Sequence, residues 1–341
     1  MKKYLIILFM FLIGISFVSA DEKVVPLSRL NKPATIIVDG GQILIAEFPT
    51  IYVYSQKDFS FITSFGKQGD RPREFSQYTR IQKDPENPDK IVIGSHMKMS
   101  YYSRDGKFIS EKRPKGAGLA NVYKPFGEKF VSYSGYQDKE KKINYSTVEL
   151  YDSEMKKIKQ VYKEPQFFQQ GRKLNPLRTW GAWFRLYKNQ IFVTGEREGY
   201  VLIFDHNGDI KKELKCGLKK LKVRDSDIKR YHEYFRTDPQ TKNFYEAVKA
   251  QFQFPSTFPV IRGMDVVDEK LYVNGYPGPD GKTEFEVYDL NWKLLKGNIY
   301  LQIPEATARD LYPYTIKDGK LYQLVDDVDE EVWELHVHDL K

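Results

Sequence analysis

The sequence predicts an all-β protein in which six small antiparallel sheets close into a six-bladed β-propeller. Three observations predict this fold: a strand unit that recurs six times, a spacing of about 50 residues between its copies, and complementary strand segments at the two ends of the chain. A helical insertion is expected between the fourth and fifth blades. The predicted organisation is a signal peptide over residues 1–20 and one propeller domain over residues 21–341.

The N-terminus has the pattern of a secretory signal peptide. Lys2 and Lys3 precede an apolar run from Tyr4 to Phe17, and small residues stand just before Asp21. The run is shorter than the roughly 20 residues of a membrane-spanning helix, so cleavage is expected rather than retention as an anchor. No cysteine lies near the cleavage point to carry a lipid. We therefore expect a periplasmic or secreted protein with no transmembrane segment after cleavage.

Composition limits the classes of protein that fit. Cys216 is the only cysteine, so the chain forms no internal disulfide and depends on its core, for which 41% hydrophobic residues with 24 Tyr and 22 Phe suffice. The net charge of +8 becomes +6 (8 − 2) once Lys2 and Lys3 are removed. This excess favours acidic partners or is simply a solvated basic surface. No basic helix or nucleic-acid-binding motif is present, so nucleic acid is not an expected partner.

The recurring unit begins with two strands of β character. The first strands are GQILIAEF (41–48), DKIVIGSH (89–96), EKFVSYSG (128–135), NQIFVTGE (189–196), EKLYVNGY (269–276) and GKLYQLVD (319–326). The second strands are IYVYS (51–55), MSYYS (99–103), VELYD (148–152), VLIFD (201–205), FEVYD (285–289) and ELHVHD (334–339). Hairpin turns such as Asp105-Gly106 and Asn207-Gly208 then lead into a return strand, so each unit is an antiparallel meander.

The spacing of the units indicates blades and one insertion. The aromatic positions that end the second strands are Tyr54, Tyr102, Tyr151, Phe204, Tyr288 and, in the last copy, His338, at intervals of 48, 49, 53, 84 and 50 residues. The long interval contains a helical pattern over 223–254, in which aromatic residues recur on one face and Asp238-Pro239 has the form of a helix start. The insertion is expected either to clamp onto the propeller surface or to shape the mouth of a site.

The two ends of the chain are expected to complete one blade. The sixth copy stops at Lys341 before a fourth strand, whereas the strand-like segment 23–30 has no partner in the first copy. Pairing the two would close the ring and remove exposed sheet edges.

The segment FGKQGDRPREF (65–75) resembles the Phe-Gly-x-x-Gly-x-x-x-x-x-Phe linker of NHL-type six-bladed propellers. In that family the linker leads from the outer strand of one blade, here 59–62, to the inner strand of the next, here 78–81. Arg71 and Arg73 stand where glycines are usual, and the other blade junctions do not carry the motif clearly. The resemblance implies the fold over most of the mature chain, as in secreted bacterial propellers of mostly unknown function, and implies no activity.

A phosphate-binding loop is the competing interpretation of this segment. Such a loop needs its glycines to open a helix, whose N-terminus supplies the amides and the dipole. Pro72 and the residues that follow Phe75 begin no helical pattern. Nucleotide binding is therefore not expected.

The expected ligand site is the central funnel, where inner strands and their loops converge. The inner-strand candidates are Arg80, Asn121, Tyr123, Trp180 to Arg185, Arg262 to Asp265 and Tyr312 to Tyr314, of which Arg80, Tyr123, Arg185, Arg262, Asp265 and Tyr314 are the predicted ligand-binding residues. Arginines and aromatics suit an anionic or carbohydrate ligand. Alternatively, the same residues fill and pair around a polar channel. Which strand face points to the axis stays undecided, because a shift of one residue inverts it.

No catalytic residues and no metal or cofactor site are predicted. His336 and His338 share a strand face but lack a third ligand, and His338 stands where other blades have an aromatic. The acidic run 326–331 does not have the ligand spacing of a calcium loop and reads as a hairpin turn. Cys216 lies among lysines that would lower its pKa, yet no base accompanies it.

The function that fits best is a monomeric, non-enzymatic propeller that binds an envelope protein, a peptide or an anionic glycan. The alternative is a propeller enzyme, a lyase or a metal-dependent hydrolase, with its site in the funnel. A purely structural envelope component is the third interpretation. Fold alone does not separate these hypotheses.

Overall fold

The computed structural model describes residues 23–75, 79–84, 87, 89–95, 98–113, 122–166, 169, 173–178, 182–195 and 197–340. It shows a six-bladed β-propeller made of six four-stranded antiparallel sheets, which confirms the predicted fold class. The predicted signal peptide, Asn121 and Trp180 lie outside the described residues. No helix in the described ranges is long and apolar enough to cross a membrane.

The first three sheets follow one another along the chain, and each runs outward from its inner strand. The first sheet contains β2 (Thr35–Asp39), β3 (Gln42–Glu47), β4 (Thr50–Ser55) and β5 (Phe61–Phe65). The second contains β6 (Arg80–Lys83), β7 (Lys90–Ser95), β8 (Lys98–Ser103) and β9 (Phe108–Lys112). The third contains β10 (Val122–Phe126), β11 (Lys129–Asp138), β12 (Ile143–Tyr151) and β13 (Lys157–Pro165).

The remaining sheets repeat this order, and the last one borrows its outer strand from the N-terminus. The fourth sheet contains β14 (Trp183–Tyr187), β15 (Gln190–Thr194), β16 (Tyr200–Phe204) and β17 (Ile210–Lys215). The fifth contains β18 (Gly263–Val267), β19 (Lys270–Pro277), β20 (Lys282–Asp289) and β21 (Leu294–Gln302). The sixth contains β22 (Tyr314–Lys317), β23 (Lys320–Asp327), β24 (Val332–Asp339) and β1 (Lys23–Pro26).

The ring closes through the two ends of the chain, as the sequence predicted. β1 pairs antiparallel with β24, with Val25 opposite Leu335. Beyond the strand, the Leu27 amide donates to the Trp333 carbonyl at 2.6 Å, and the Trp333 indole donates to the Asn31 carbonyl at 2.8 Å. The residues after Pro26 therefore continue the closure by packing rather than as strand.

An apolar core fills each of the six interfaces between neighbouring sheets. Successive side chains of a strand point to opposite faces. On β3, Ile43 and Ile45 pack toward the sixth sheet, whereas Leu44 and Ala46 pack toward the second. β3, which belongs to the first strands of the recurring unit, is thus apolar on both faces, and this explains its unbroken apolar run in the sequence.

The aromatic positions that set the repeat spacing are buried against the preceding sheet. Tyr54, Tyr102, Tyr151, Phe204 and Tyr288 all belong to these interface cores. Next to each of them the outer strand carries a β-bulge. His338 is buried at the corresponding position of the sixth sheet, in agreement with its expected packing role.

The insertion consists of α1 (Asp225–Thr237), α2 (Lys242–Val248) and a 3₁₀ turn (Lys249–Gln251) between β17 and β18. These strands belong to the fourth and fifth sheets when the count starts at β2, and to the fifth and sixth when it starts at the sheet that holds β1. The Asp238 side chain accepts from the Gln240 amide at 2.9 Å, as at a helix start, but α2 begins only at Lys242, so Thr241 and not Asp238 is its N-cap residue.

The aromatic faces of the insertion pack on loops of the propeller. Tyr231 and Phe235 of α1 are fully buried with Leu174 and Leu177, which precede β14, and with Ala308, which precedes β22. The insertion therefore clamps the loops at the face of the disk where the inner strands begin. None of the described insertion residues over 223–254 lines the central cavity.

The segment 65–75 is a linker that packs on both neighbouring blades. Gly66 and Gly69 have φ of 114° and 150°, and Phe75 is fully buried between the first and second sheets. The buried Lys98 ammonium donates to the Arg71 carbonyl at 3.1 Å. The described chain continues into β6 and not into a helix, so the segment lacks the geometry of a phosphate loop.

Leu27→Ala should lower the free energy of unfolding by about 2–5 kcal/mol, because it leaves a cavity where the two chain ends meet. Val24→Ala is the matched control, since Val24 is 43% exposed on β1 whereas Leu27 is 3% exposed. Urea unfolding of both variants measures the difference. Equal, small losses would contradict the role given to this contact.

Gly66→Ala should destabilise the protein by about 1–3 kcal/mol more than Gly41→Ala. Both glycines have positive φ, but a Cβ on Gly66 would lie 2.4 Å from the Pro49 carbonyl, whereas nothing lies within 4 Å of one on Gly41. Thermal unfolding of the two variants compares them. If Gly41→Ala is as damaging, the linker is not the tightly packed element described here.

Candidate ligand-binding funnel

The inner strands of all six sheets enclose a cavity of about 600 Å³ on the axis of the disk. This volume is in the range of small-molecule sites, roughly 300–1,000 Å³. All inner strands run in the same direction through the disk. We call the face where they begin the entry face and the opposite one the exit face.

Polar residues of the inner strands line this cavity. Five of them come from five different strands, and we call these the funnel ring: Arg80 of β6, Lys124 of β10, Arg185 of β14, Asp265 of β18 and Tyr314 of β22. Their strand neighbours point the other way into the interface cores, as alternation requires. The ring combines three cations with one carboxylate, so its charge is +2 when Lys124 is protonated (3 − 1).

The cations of the funnel ring are unequally paired. The Arg185 guanidinium lies 3.5 Å from the Asp265 carboxylate, and the Tyr314 hydroxyl donates to the Asn274 side-chain oxygen at 3.3 Å. Lys124 has its ammonium 4.5 Å above the centre of the Phe184 ring. Neither Arg80 nor Lys124 forms a salt bridge with any carboxylate in the described part of the chain.

Enclosure changes the protonation of the funnel ring. Burial, helped by the nearby Arg185 and Arg80, lowers the pKa of Lys124 to about 7. Arg80 is open to the water of the cavity, yet the protein around it and the charge of Arg185 lower its pKa. Burial raises the pKa of Tyr314 to about 12, so its phenol stays protonated. An additional negative charge here would favour the protonated form of Lys124.

The charges toward the exit face are paired with one another. Lys83 lies 3.4 Å from Asp39, and Lys317 forms a salt bridge with Asp268. The unbalanced positive charge is thus confined to the middle of the cavity, where a ligand would be surrounded by all six sheets.

Four of the six predicted site residues line the cavity, namely Arg80, Arg185, Asp265 and Tyr314. Tyr123 does not: it is 5% exposed, and its ring packs 5.1 Å from that of Tyr151 in the interface between the second and third sheets. Sequence reasoning missed its neighbour Lys124, because the direction of β10 relative to the axis was undecided.

Arg262 lies just before β18 and is also buried outside the central cavity. Its guanidinium pairs with Glu305 at 2.5 Å and lies 5.0 Å from the Tyr276 ring centre, beneath the insertion. That these six residues bind a ligand remains a prediction, whereas their places in the fold are now defined.

The lysines near Cys216 in the sequence suggested a lowered thiol pKa, but the structure indicates a raised one. The thiol is buried in the core between the fourth and fifth sheets, and this burial, together with the nearby Glu286, raises its pKa to about 12. The thiolate is therefore disfavoured, and the lysines of the surrounding segment do not activate it.

The other polar clusters form local contacts. His336 pairs with Glu334 at 2.9 Å. The acidic run 326–331 covers the end of β23 and the hairpin turn that leads to β24, and the Asp327 side chain accepts from the Asp329 amide at 3.1 Å. Within the described residues, no three His, Cys, Asp or Glu side chains lie together in a group that could hold a metal ion.

Comparison with solved structures agrees on the fold. A protein of Bacteroides fragilis NCTC 9343 described as exported aligns over 94% of this chain and 96% of its own, with 13% identity and a TM-score of 0.54. A member of the DUF4221 family from Bacteroides vulgatus aligns over 94% and 98%, with 8% identity and a TM-score of 0.51. A luciferin-regenerating enzyme has 11% identity and a TM-score of 0.45, over 94% and 96%, too low a similarity to inform function. No protein-family model and no curated protein sequence matches the chain.

Lys124→Met should stabilise the fold more at pH 6 than at pH 9. The folded-state pKa of Lys124, about 7, lies below that of an unfolded chain, so the cost of enclosing its charge is fully present below pH 7 and declines as the pH rises. Urea unfolding at the two pH values measures the effect. Lys57→Met, at an exposed turn, is the control for loss of a lysine. An equal effect of Lys124→Met at both values would contradict the enclosure of its charge.

Proposed function

We propose that this protein is an exported, non-enzymatic binding propeller that holds an anionic group of its ligand in the funnel ring. The observation that carries the proposal is the pair of cavity-lining cations, Arg80 and Lys124, that have no salt bridge to a described carboxylate. Enclosing unpaired positive charge is unfavourable, and a bound carboxylate, sulfate or phosphate would offset that cost.

The geometry supports recognition of the anion rather than general attraction to it. Arg80 and Arg185 offer planar guanidinium groups, which bind carboxylate and phosphate oxygens in pairs. Tyr314 stays protonated and can donate to a ligand in exchange for Asn274, while Asp265 orients Arg185 from 3.5 Å. A ligand in the cavity would therefore meet charge, donors and a defined orientation together.

Export is supported by the N-terminal signal pattern and by the description of one structural neighbour as an exported protein. In the cell envelope, acidic groups occur on glycans, peptides and proteins. All three present the chemistry that the funnel ring fits, so all three are candidate ligands. A monomer suffices for this site, because one ring of six sheets builds the whole cavity.

One observation favours an enzyme as the second candidate. An amine whose pKa is about 7 can act as a general base near neutral pH, and Lys124 faces the same cavity as the Tyr314 phenol, a potential proton donor. A lyase would use such a pair to take a proton from its substrate and to give one to the leaving oxygen. Turnover of a bound acidic ligand, lost in Lys124→Met, would establish this alternative.

Calorimetric titration with D-galacturonate, sulfate and neutral D-galactose tests the proposal. The two anions should bind and galactose should not, and Arg185→Met should weaken anion binding by about tenfold or more, as expected for loss of a charged hydrogen bond. Lys57→Met removes a positive charge outside the cavity and should leave binding unchanged. Anion binding that both variants weaken equally would overturn the proposal, since it would reflect net charge and not the funnel.

A further inference from the structure

A second, smaller cavity of about 60 Å³ opens on the entry face beside the funnel. Its walls are the loop before β14, the loop between β15 and β16, and the loop before β18. The space holds a few water molecules or the hydroxyl groups of one sugar ring, and is too small for a whole ring. It is separate from the cavity that holds the funnel ring.

Strand β14 has a residue in the wall of each cavity. Trp183, its first residue, lines the small cavity, while Arg185, two residues later, lines the funnel. Residues at this spacing point to the same side of a strand and lie about 6.7 Å apart along it. Trp183 is 38% exposed, so part of its indole ring is accessible to a ligand.

The described charges that line the small cavity are paired, unlike two of the cations in the funnel ring. Arg178 lies 3.6 Å from the buried Glu164 carboxylate, and Arg262 is paired with Glu305. Arg197 pairs with Glu213, and Glu198 pairs with Lys220. Arg262 lines this cavity and is 95% buried, since only 5% of it is exposed. Its Nε atom is buried and has no hydrogen-bond partner. Balanced donors and acceptors of this kind suit hydroxyl groups, which both donate and accept.

We propose, resting on the proposed function, that the ligand is an acidic saccharide of at least two units that spans both cavities. The acidic group of one sugar lies in the funnel ring. The neighbouring sugar packs the apolar face of its ring on the Trp183 indole and places its hydroxyl groups in the small cavity, where Arg262 donates to one of them.

An acidic peptide fits this surface less well. Its next carboxylate would enter a cavity that already contains Glu164, and the described arginines of the lining, Arg178, Arg197 and Arg262, are each paired with a glutamate. Its backbone would also need amide partners, whereas Trp183 offers an apolar face. A saccharide places few charges and many hydroxyl groups along its length, as this pair of cavities requires.

Calorimetric titration with galacturonate, digalacturonate, neutral galactobiose and the dipeptide Glu-Glu tests the proposal. The unmodified protein should bind digalacturonate about tenfold more tightly than galacturonate, a gain typical of one added aromatic contact with a hydrogen bond. Trp183→Ala should lose this gain and keep the affinity for galacturonate. Arg262→Lys, which keeps a charge for Glu305 but has no Nε, should reduce the gain. Tyr300→Ala, which removes an aromatic that is 49% exposed outside both cavities, is the matched control.

Three results would overturn the proposal. The first is that digalacturonate binds no more tightly than galacturonate, and the second is that its gain in affinity persists in Trp183→Ala. The third is Trp183-dependent binding of Glu-Glu that is tighter than the binding of digalacturonate. Failure of the underlying function looks different. In that case galacturonate itself does not bind, or its binding does not depend on Arg185. If galacturonate binding depends on Arg185 but digalacturonate shows no Trp183-dependent gain in affinity, the proposed anion site is supported and the proposal of a saccharide ligand is rejected.

Discussion

The pairing of β1 with β24 is the contact on which the rest of the structure depends. The strand itself is short, but the chain beyond it adds Leu27 and the bond from the Trp333 indole, so both ends are held in one core. If the ends separated, the first and sixth sheets would lose their shared interface. The axial cavity would then open along its length, because each of its six walls is held in place only by its two neighbours.

Closure also allows positive charges to stay close together. Arg80, Lys124 and Arg185 come from three different sheets, and the charge of Arg185 disfavours the charged forms of both Arg80 and Lys124. A flexible loop would move such groups apart, whereas inner strands packed on both sides hold them. The low pKa of Lys124 records this confinement. Protein–ligand sites commonly retain such locally unfavourable arrangements, which the surrounding structure sustains.

The insertion contributes to the entry face without entering the funnel. Its helices bury Leu177, and the Tyr276 hydroxyl donates to the Leu177 carbonyl at 3.2 Å. The next residue, Arg178, lines the small cavity and pairs with Glu164. The insertion thus clamps the loops, and in doing so it helps to set the shape of the small cavity that they surround.

The sequence by itself determined the architecture. Strand runs with turn signals, the spacing of Tyr54 and its counterparts, and the unpaired segment at 23–30 are local or repeated features, and six copies reinforce one another. Only the tertiary structure decided which side chains face the axis. On β10 one step separates the core residue Tyr123 from Lys124, and no local pattern distinguishes them because both faces of an inner strand are occupied. The pKa values of Lys124 and Cys216 likewise depend on burial and on residues from distant sheets, which sequence neighbours do not report.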